Sequence, residues 1–293
     1  MSFNVTTHFV QQYTTNVQLL LQQKGSKLRD TVTVGSYTGK AAKAVEQVGP
    51  VTAQKRTIRH GDTPLISTPA DARWVFPTDY EWADLIDDQD KLRMLIDPQS
   101  SYALNGAYAL GRAMDDEIIS AFFGTAKTGE NGSTNTSFPS GQQVLAAVGS
   151  TGATGLNIAK LREAKKILMA NEVDIDNDPL FCVITAQQHD DLLNEAQAIS
   201  LDYNTRPVLV DGKITAFMGF NFIHTERLPV DGSSYRRVAA FAKSGMHLGM
   251  WNDISTMISE RADKGYSTQV YVKGTFGATR TEEKKVVEIQ CDE

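Results

Sequence analysis

The chain has 293 residues, of which 41% are hydrophobic, so it is long enough for roughly two or three compact units with apolar cores. Its formal net charge of −6 excludes the strong basic field with which many proteins attract nucleic acids. Cys182 and Cys291 form no metal or disulfide pattern, no apolar run approaches the ~20 residues that span a bilayer, and the N-terminus lacks the features of a signal peptide.

The first predicted element is an amphipathic helix over residues 6–24, which Gly25 ends. Its polar face carries glutamine, threonine and asparagine rather than charged side chains. Two interpretations stay open, because such a face suits both a surface helix and an arm that another protein covers. The apolar face, on which Phe9 and Tyr13 are candidate interface residues, consists of Phe9, Val10, Tyr13, Val17, Leu20 and Leu21.

Residues 30–76 contain many glycines and prolines and few large apolar side chains, which is unusual for a compact domain. Residues 30–34 and 51–58 alternate between apolar and polar side chains, so we predict a long two-stranded hairpin that projects from the body. An isolated hairpin is only marginally stable in water and needs a partner surface. A mobile loop is the alternative interpretation. The basic residues that are candidates for contacts with a partner are Lys40, Lys43, Lys55, Arg56 and Arg59.

The next segment, residues 74–96, interleaves aromatic and acidic side chains. Its aspartates do not recur at a metal-ligand spacing, so we interpret them as a solvated acidic face. Their charge is opposite to that of the basic hairpin, which makes the two segments candidates for pairing between molecules, although single exposed ion pairs contribute little. The aspartates of this face are Asp84, Asp87, Asp88 and Asp90.

One long helix is predicted over residues 98–123. Asp97 can cap its first turn, Pro98 fits the first helical position, and Gly124 is expected to end it in a left-handed conformation. The helix would be roughly 40 Å long. Gly111 is a candidate interface position, because a small residue there permits close approach of another segment. The apolar stripe of this helix consists of Leu104, Ala107, Tyr108, Gly111, Met114, Ile118 and Phe122.

The second half of the chain predicts a mixed α/β unit over residues 156–251, preceded by a loop rich in glycine, serine and threonine. Its predicted elements, in chain order, are a helix at 158–170, a buried strand at 180–185, a helix at 187–197 and strands at 219–225 and 237–241. Two further alternating strands, at 267–277 and 284–290, close the chain.

Motifs of catalysis and ligand binding are incomplete. The segment 35–41 is one residue short of a phosphate-binding loop and lacks the serine or threonine after Lys40. A calcium loop starting at Asp174 would have Pro179 in place of the required glycine. The five histidines are scattered, and no nucleophile elbow occurs. We therefore expect no enzyme, cofactor or metal, and a soluble cytosolic α/β enzyme with a site built from distant residues stays as an alternative.

Three segments are more distinctive than the general pattern. They are Asp84-Leu-Ile-Asp-Asp-Gln-Asp-Lys-Leu, Asp97-Pro-Gln-Ser-Ser-Tyr and Ala107-Tyr-Ala-Leu-Gly-Arg-Ala-Met-Asp-Asp-Glu-Ile-Ile-Ser-Ala-Phe-Phe-Gly-Thr-Ala. These segments, and the order of the predicted parts, resemble the major capsid proteins of tailed phages with the HK97-type fold. The resemblance covers nearly the whole chain and is strongest over residues 74–126.

The resemblance implies an α+β, HK97-like capsid fold with an N-terminal arm, an extended β-hairpin loop, a long spine helix, a peripheral domain and a mixed α/β axial domain. The implied boundaries are 1–35 for the arm, 36–76 for the extended loop, 77–155 for the peripheral domain with its spine helix 98–123, 156–251 for the axial domain, and 252–293 for the closing strands of the peripheral domain.

The implied function is structural. Pentamers and hexamers of the chain would form an icosahedral head around phage double-stranded DNA, contacted weakly and without sequence specificity, in a virion assembled in the host bacterial cytoplasm without a membrane. Some relatives carry a cleaved scaffolding segment before the arm and this sequence carries none, so we expect a separate scaffolding protein, with a portal and decoration proteins as further candidate partners. Encapsulins, which share the fold and form protein nanocompartments, are the nearest alternative.

Overall fold

The computed structural model describes residues 22–57, 59, 65–87, 99–195, 209–210 and 213–293. The chain divides into two compact units, here called the small unit and the large unit. The small unit contains the described residues 22–26, 79–87, 99–113 and 252–274, and the large unit contains the other described residues. The predicted helix over residues 6–24 lies outside the described residues except for 22–24, which are not helical.

The helices are α1 (Gln99–Phe123), α2 (Ile158–Ala170) and α3 (Ala186–Asn194). The strands before α2 are β1 (Thr33–Ser36), β2 (Ala42–Val48), β3 (Ala70–Val75), β4 (Thr78–Ile86), β5 (Ala126–Thr128), β6 (Thr134–Thr136) and β7 (Gln143–Val144). The later strands are β8 (Leu180–Ile184), β9 (Leu209–Val210), β10 (Lys213–Ile214), β11 (Ala216–Phe217), β12 (Phe220–His224), β13 (Arg236–Ala242), β14 (Met246–Arg261), β15 (Ser267–Arg280) and β16 (Val286–Cys291).

The core of the large unit is a six-stranded mixed sheet in the order β11-β12-β8-β13-β16-β7. Its central strands β8 and β13 are antiparallel, with Val183 opposite Ala239. Both are nearly continuous apolar runs, which is typical of strands that are covered on both faces. α2 lies against β16 and β7, and its bounds confirm the predicted helix over 158–170. β16 pairs with β13, so a strand from outside residues 156–251 takes part in this sheet.

The strands of the hairpin differ from the predicted strands at 30–34 and 51–58. β2 pairs antiparallel with β3, from Ala42 opposite Val75 to Val48 opposite Ala70. The prediction of a strand over 51–58 is wrong at residues 51–57, which are exposed and form no strand. The reason lies at Pro50, which has no N–H with which to continue a ladder. β3 also pairs with β5, and β5 with β6, which completes a four-stranded antiparallel sheet.

The strand predicted at 30–34 begins only at Thr33. Residues Arg29–Thr31 form a 3-10 turn instead, in which the Thr31 N–H donates to the Leu28 carbonyl at 3.0 Å. β1 then runs parallel to the start of β14, with Thr33 opposite His247 and Ser36 opposite Met250.

In the small unit, β14, β15 and β4 lie side by side in that order. The buried Val272 of β15 lies against α1 at Gly106. A Cβ on Gly106 of α1 would lie 2.5 Å from the ring of Trp82 and 2.7 Å from Val272. Glycine therefore lets the helix backbone touch the sheet.

α1 confirms the predicted long helix, and Asp97 and Pro98 lie outside the described residues. The buried line of α1 runs at intervals of four through Gly106, Leu110, Met114, Ile118 and Phe122. Leu104, predicted to belong to the apolar stripe, is 44% exposed. It lies two residues before Gly106, or about 200° of helical rotation away, and so points away from the buried line.

The end of α1 also differs from the prediction. Gly124 is not left-handed. Its N–H donates to the Ser120 carbonyl at 2.9 Å, as in a continuing helix. The last carbonyls of α1 have another partner, the side chain of Arg280, so no left-handed glycine cap is needed.

Within the small unit, residues 22–26 lie across α1 at Gly111. A Cβ on Gly111 would lie 2.7 Å from the Gly25 Cα and 2.8 Å from the Ser26 nitrogen. Arg112 Nη1 donates to the Gln22 Oε1 at 2.8 Å and to the carbonyl of residue 23 at 3.2 Å. The close approach at Gly111 is therefore made by the same chain.

We expect Gly111→Leu to lower the free energy of unfolding of the subunit by about 1–3 kcal/mol, because the larger side chain overpacks the contact with Gly25. Gly152→Leu is the matched control, since no atom lies within 4 Å of a Cβ at that exposed glycine. Urea denaturation of the two variants measures the difference. Equal unfolding midpoints would contradict the prediction.

Candidate functional site

A buried arginine, Arg280 at the end of β15, closes the C-terminal end of α1. Its Nη1, which has two N–H groups, lies 3.0 Å from the carbonyl oxygens of Ala121 and Phe122 and 2.5 Å from that of Gly124, so three acceptors share two donors. These carbonyls have no intrahelical partner and carry the negative end of the helix dipole. The guanidinium also lies 5.3 Å from the centre of the Phe138 ring. A positive charge therefore caps the helix.

Glu283 connects Arg280 to the hairpin. It lies in the 3-10 turn Glu283–Lys285 after β15. Arg73 Nη2, on β3, donates to Glu283 Oε2 at 2.5 Å, and Arg280 Nε lies 4.0 Å from Glu283 Oε1. Burial lowers the pKa of Arg280, while the Glu283 charge acts against this effect and the Arg73 charge adds to it. Arginine nevertheless stays protonated in proteins, so the three side chains form a buried charged cluster.

A cleft of about 770 Å³ lies between the β2–β3 hairpin and residues 281–285. We call it the hairpin cleft. Gln47 Nε2 donates to the Thr281 carbonyl, and Arg73 donates to Glu283, so side chains bridge the cleft without filling it. Its lining consists of Thr33, Val45, Glu46, Gln47, Val48, Gly49, Pro50, Pro69, Ala70, Asp71, Arg73, Ser244, His247, Thr281, Glu282, Glu283, Lys284 and Lys285.

His247, in the wall of the hairpin cleft, ties β1 to β14. The Thr33 hydroxyl donates to the Met246 carbonyl at 2.6 Å, so the same oxygen accepts from His247 Nδ1 at 3.1 Å. His247 Nε2 then accepts from the Tyr37 hydroxyl at 2.8 Å. Burial lowers the pKa of His247 and raises that of Tyr37. The partners thus assign a neutral imidazole with its proton on Nδ1.

A buried lysine fastens the last strand. Lys160 Nζ, on α2, donates to the carbonyls of Thr154 at 2.5 Å and of Gly155 and Gln290 at 2.9 Å. Each of its three N–H groups therefore has an acceptor. Burial lowers the pKa of Lys160, and the nearby negative groups only partly offset this effect.

A buried carboxylate binds the backbone at the start of the large unit. Asp115 of α1 is fully buried. It accepts from the backbone N–H of Lys27 at 3.0 Å and of Leu28 at 3.1 Å. Because these bonds satisfy backbone donors, they hold the entering chain against the helix whatever side chains it carries.

The structure places most of the predicted interface residues on the surface. Lys43 Nζ lies 3.5 Å from Glu46 Oε1 and 5.7 Å from the centre of the Trp74 ring. Gly111 is buried against its own chain. Pairing of the basic hairpin with the acidic segment of another molecule stays a prediction. The exposed candidates are Lys40, Lys43, Lys55, Arg56, Arg59, Asp84 and Asp87, whereas Phe9, Tyr13, Asp88 and Asp90 lie outside the described residues.

The sequence patterns did not reveal the buried charged residues. Arg280 carries one usable signal, since it occupies the same alternating positions of β15 as the buried Val270 and Val272. An arginine at an inward position indicates a buried partner. Arg73 and Glu283 lie 210 residues apart in the sequence, and no local pattern connects them.

In the described ranges, no cluster of three or more histidine, cysteine, aspartate or glutamate residues is suited to hold a metal ion. None of the helices that the structure describes is long and apolar enough to cross a membrane. Cys182 and Cys291 are buried and unpaired with each other. Burial raises the pKa of both thiols, that of Cys291 to about 12, which leaves them unreactive.

Solved capsid structures have the same fold. The capsid structure of cyanophage P-SCSP1u gives a TM-score of 0.77 at 16% identity and covers 100% of this chain and 95% of that chain. Mycobacterium phage Che8 gives 0.70 at 15% identity, with 98% of both chains covered. The capsid of a native GTA particle gives 0.72 at 12% identity, with 99% and 98% covered. A comparison with curated protein sequences gives no significant match.

The long helix, the extended hairpin and the mixed sheet define the HK97-type capsid fold, as the resemblance in the sequence implies. A family model described as phage capsid protein matches residues 5–293. The chain belongs to this family of phage capsid proteins, and it is a structural major capsid protein.

We expect Arg280→Met to lower the free energy of unfolding by roughly 3–5 kcal/mol, because it removes the donor from the buried Phe122 carbonyl and the part-buried Ala121 and Gly124 carbonyls and leaves Glu283 without one of its positive neighbours. Arg261→Met is the control. Arg261 pairs with Asp263 at 2.8 Å on an exposed turn, so its loss should have little effect. Chemical denaturation monitored by circular dichroism compares the variants, and an Arg280→Met protein as stable as Arg261→Met would refute the prediction.

Proposed function

We propose that copies of this major capsid protein assemble through pentamers and hexamers into a closed icosahedral head around phage double-stranded DNA. The observation that supports this proposal is the outer part of the β2–β3 hairpin. Residues 50–57 and 65–71 are all exposed. Two apolar side chains, Val48 at the end of β2 and Leu65 in the loop, are 73% and 99% exposed. Apolar side chains on an unsupported loop indicate a surface that another molecule covers.

The proposal assigns each part of the chain to a domain of the capsid fold. Residues 1–35 form the N-terminal arm and 36–76 the extended loop, while 156–251 form the axial domain. Residues 77–155 and 252–293 form the peripheral domain with the spine helix. In support, β2 and β3 both lie inside the proposed loop, and the central strands β8, β12 and β13 all lie inside the proposed axial domain.

Charge contributes a second type of contact between subunits in this proposal. The exposed loop residues Lys55, Arg56 and Arg59 face the acidic residues 84–88 of a neighbour. Single exposed ion pairs are weak and screened by salt. Such pairs therefore direct the orientation of neighbours, and the covered apolar side chains supply more of the binding free energy.

The remaining partners follow from the task of a head. A separate scaffolding protein guides assembly in the host bacterial cytoplasm, a portal occupies one vertex, and decoration proteins bind outside. The DNA is contacted weakly and without sequence specificity. The net charge of −6 supports this, because a strongly basic inner wall would hold the phosphates tightly.

Expression of the chain with its scaffolding protein tests the proposal. We expect large particles in a sucrose gradient, and cryo-electron microscopy of these should show pentamers and hexamers. Mature heads should contain double-stranded DNA that resists nuclease. Sedimentation of monomers or dimers alone would contradict the proposal. Mature particles from infected cells that enclose protein cargo and no DNA would instead favour a nanocompartment shell.

We expect the mature head to be held together without covalent crosslinks. An isopeptide bond between subunits requires a neutral lysine amine, which desolvation favours, whereas Lys40, Lys43 and Lys55 are exposed. The acceptor would be an asparagine of the closing strands, residues 252–293, and Asn252 is the only asparagine in that segment. Boiled heads on a denaturing gel should give one band near the chain mass of 32.1 kDa. A ladder of multimers would show the expectation to be wrong.

A further inference from the structure

The β2–β3 hairpin is fastened to the rest of the large unit at its base and on one edge, where Trp74 and Arg73 of β3 pair with β5. Ala42 and Val75 pair at its base, and both are buried. The last rung, Val48 opposite Ala70, is exposed. Between these rungs one side of the hairpin borders the hairpin cleft. Interior packing is dense and opposes displacement, but an open cleft has no packed atoms that could fix the angle of the hairpin on this side.

Two side chains of the hairpin cross the cleft. Arg73 Nη2 donates to Glu283 Oε2 at 2.5 Å, and Gln47 Nε2 donates to the Thr281 carbonyl. Arg73 also orients Gln47, because its Nε donates to Gln47 Oε1 at 3.3 Å. The second connection therefore depends on the first, and Arg73 organises both.

The geometry of the Arg73–Glu283 contact is suited to fix the angle of the β2–β3 hairpin. A guanidinium is a planar, rigid fork of donors, so its bonds specify direction as well as distance. The side chains of Arg73 and Glu283 are only 6% and 15% exposed, which reduces screening by salt. At the other end, Glu283 lies 4.0 Å from Arg280, and Arg280 is fixed to the end of α1. The hairpin is thus connected, through Glu283 and Arg280, to the C-terminal end of α1.

We propose that Arg73 is a positioning residue that sets the angle of the extended hairpin through Glu283. The angle is a property of the single subunit. Its consequence for assembly rests on the proposed function, because a hairpin at a defined angle presents its exposed loop to neighbours in one direction. Loss of Arg73 or of the Glu283 charge releases the hairpin into the cleft without unfolding the large unit.

A distance measurement between two nitroxide labels tests this proposal. One label is placed at Val48→Cys on β2 and the other at Lys166→Cys on α2, where the lysine side chain is 71% exposed. The native cysteines are buried and do not compete for the label. The labelled full-length chain is diluted into an excess of unlabelled chain, and electron double resonance then gives the distribution of distances within one subunit.

The parent protein should give one narrow distribution. Arg73→Met and Glu283→Gln should each shift it or broaden it roughly twofold, and Arg73→Lys, which keeps the charge but not the fork, should lie between. The control Arg261→Met, which breaks an exposed ion pair elsewhere, should leave it unchanged. The circular dichroism of every variant is recorded at the same temperature, so that loss of the fold is distinguished from a change of angle.

Two outcomes would overturn the proposal. The first is a folded Arg73→Met protein with the parent distribution, which would make Arg73 a contributor to stability alone. If Arg73→Met does not fold, the nearly isosteric Glu283→Gln decides, and a parent distribution there has the same meaning. Neither result depends on shells. A wild-type chain that forms no shells but shows the expected shifts would reject the proposed function and keep the positioning role.

Discussion

The large unit depends on the buried guanidinium of Arg280. Removing an ion from water costs several kcal/mol, and the last carbonyls of a helix also lose free energy when they are buried without donors. Arg280 and the end of α1 solve both problems together. Its two Nη1 hydrogens, shared among the carbonyls of Ala121, Phe122 and Gly124, join a charged donor to the negative end of a dipole, and a hydrogen bond to a charged group contributes about 1.5–3 kcal/mol.

The same arrangement recurs at two other places in the large unit. Asp115 binds the backbone of Lys27 and Leu28, and Lys160 binds the carbonyl of Gln290, which is 130 residues away. In each case a buried charge is satisfied by backbone groups of a distant segment. Removing such a charge leaves unpaired polar groups, whereas changing side chains in the bound segment leaves the bonds in place. These contacts therefore fix the path of the chain more than they fix its sequence.

Sequence reasoning succeeded where structure is local and failed where it depends on distant partners. The periodicity of residues 158–170 predicts α2 with its bounds, and the long helix predicted over 98–123 agrees to within one residue with the described α1. The pairing of β2 with β3 is not predicted, because the strand-like alternation lies at residues 51–58, of which the described residues 51–57 are exposed and form no strand. The left-handed conformation predicted for Gly124 is wrong for a related reason. A helix end needs such a cap only when no other donor reaches its last carbonyls, and here the donor is Arg280, 156 residues further along the chain.

The contrast between the inside and the outside of the subunit explains how such a chain suits a shell. Its buried charges have their partners within one molecule, although Arg73 Nη1, Arg280 Nε and Glu283 Oε1 make no hydrogen bond. The hairpin loop has the opposite character, because Val48 and Leu65 are exposed and gain free energy only when something covers them. Covering one such side chain contributes about 1.5–3 kcal/mol, which is too little to hold two subunits together against the loss of their free motion. In the proposed shell the contact is repeated at every subunit, so weak contacts add up to a stable particle while each one remains reversible during assembly.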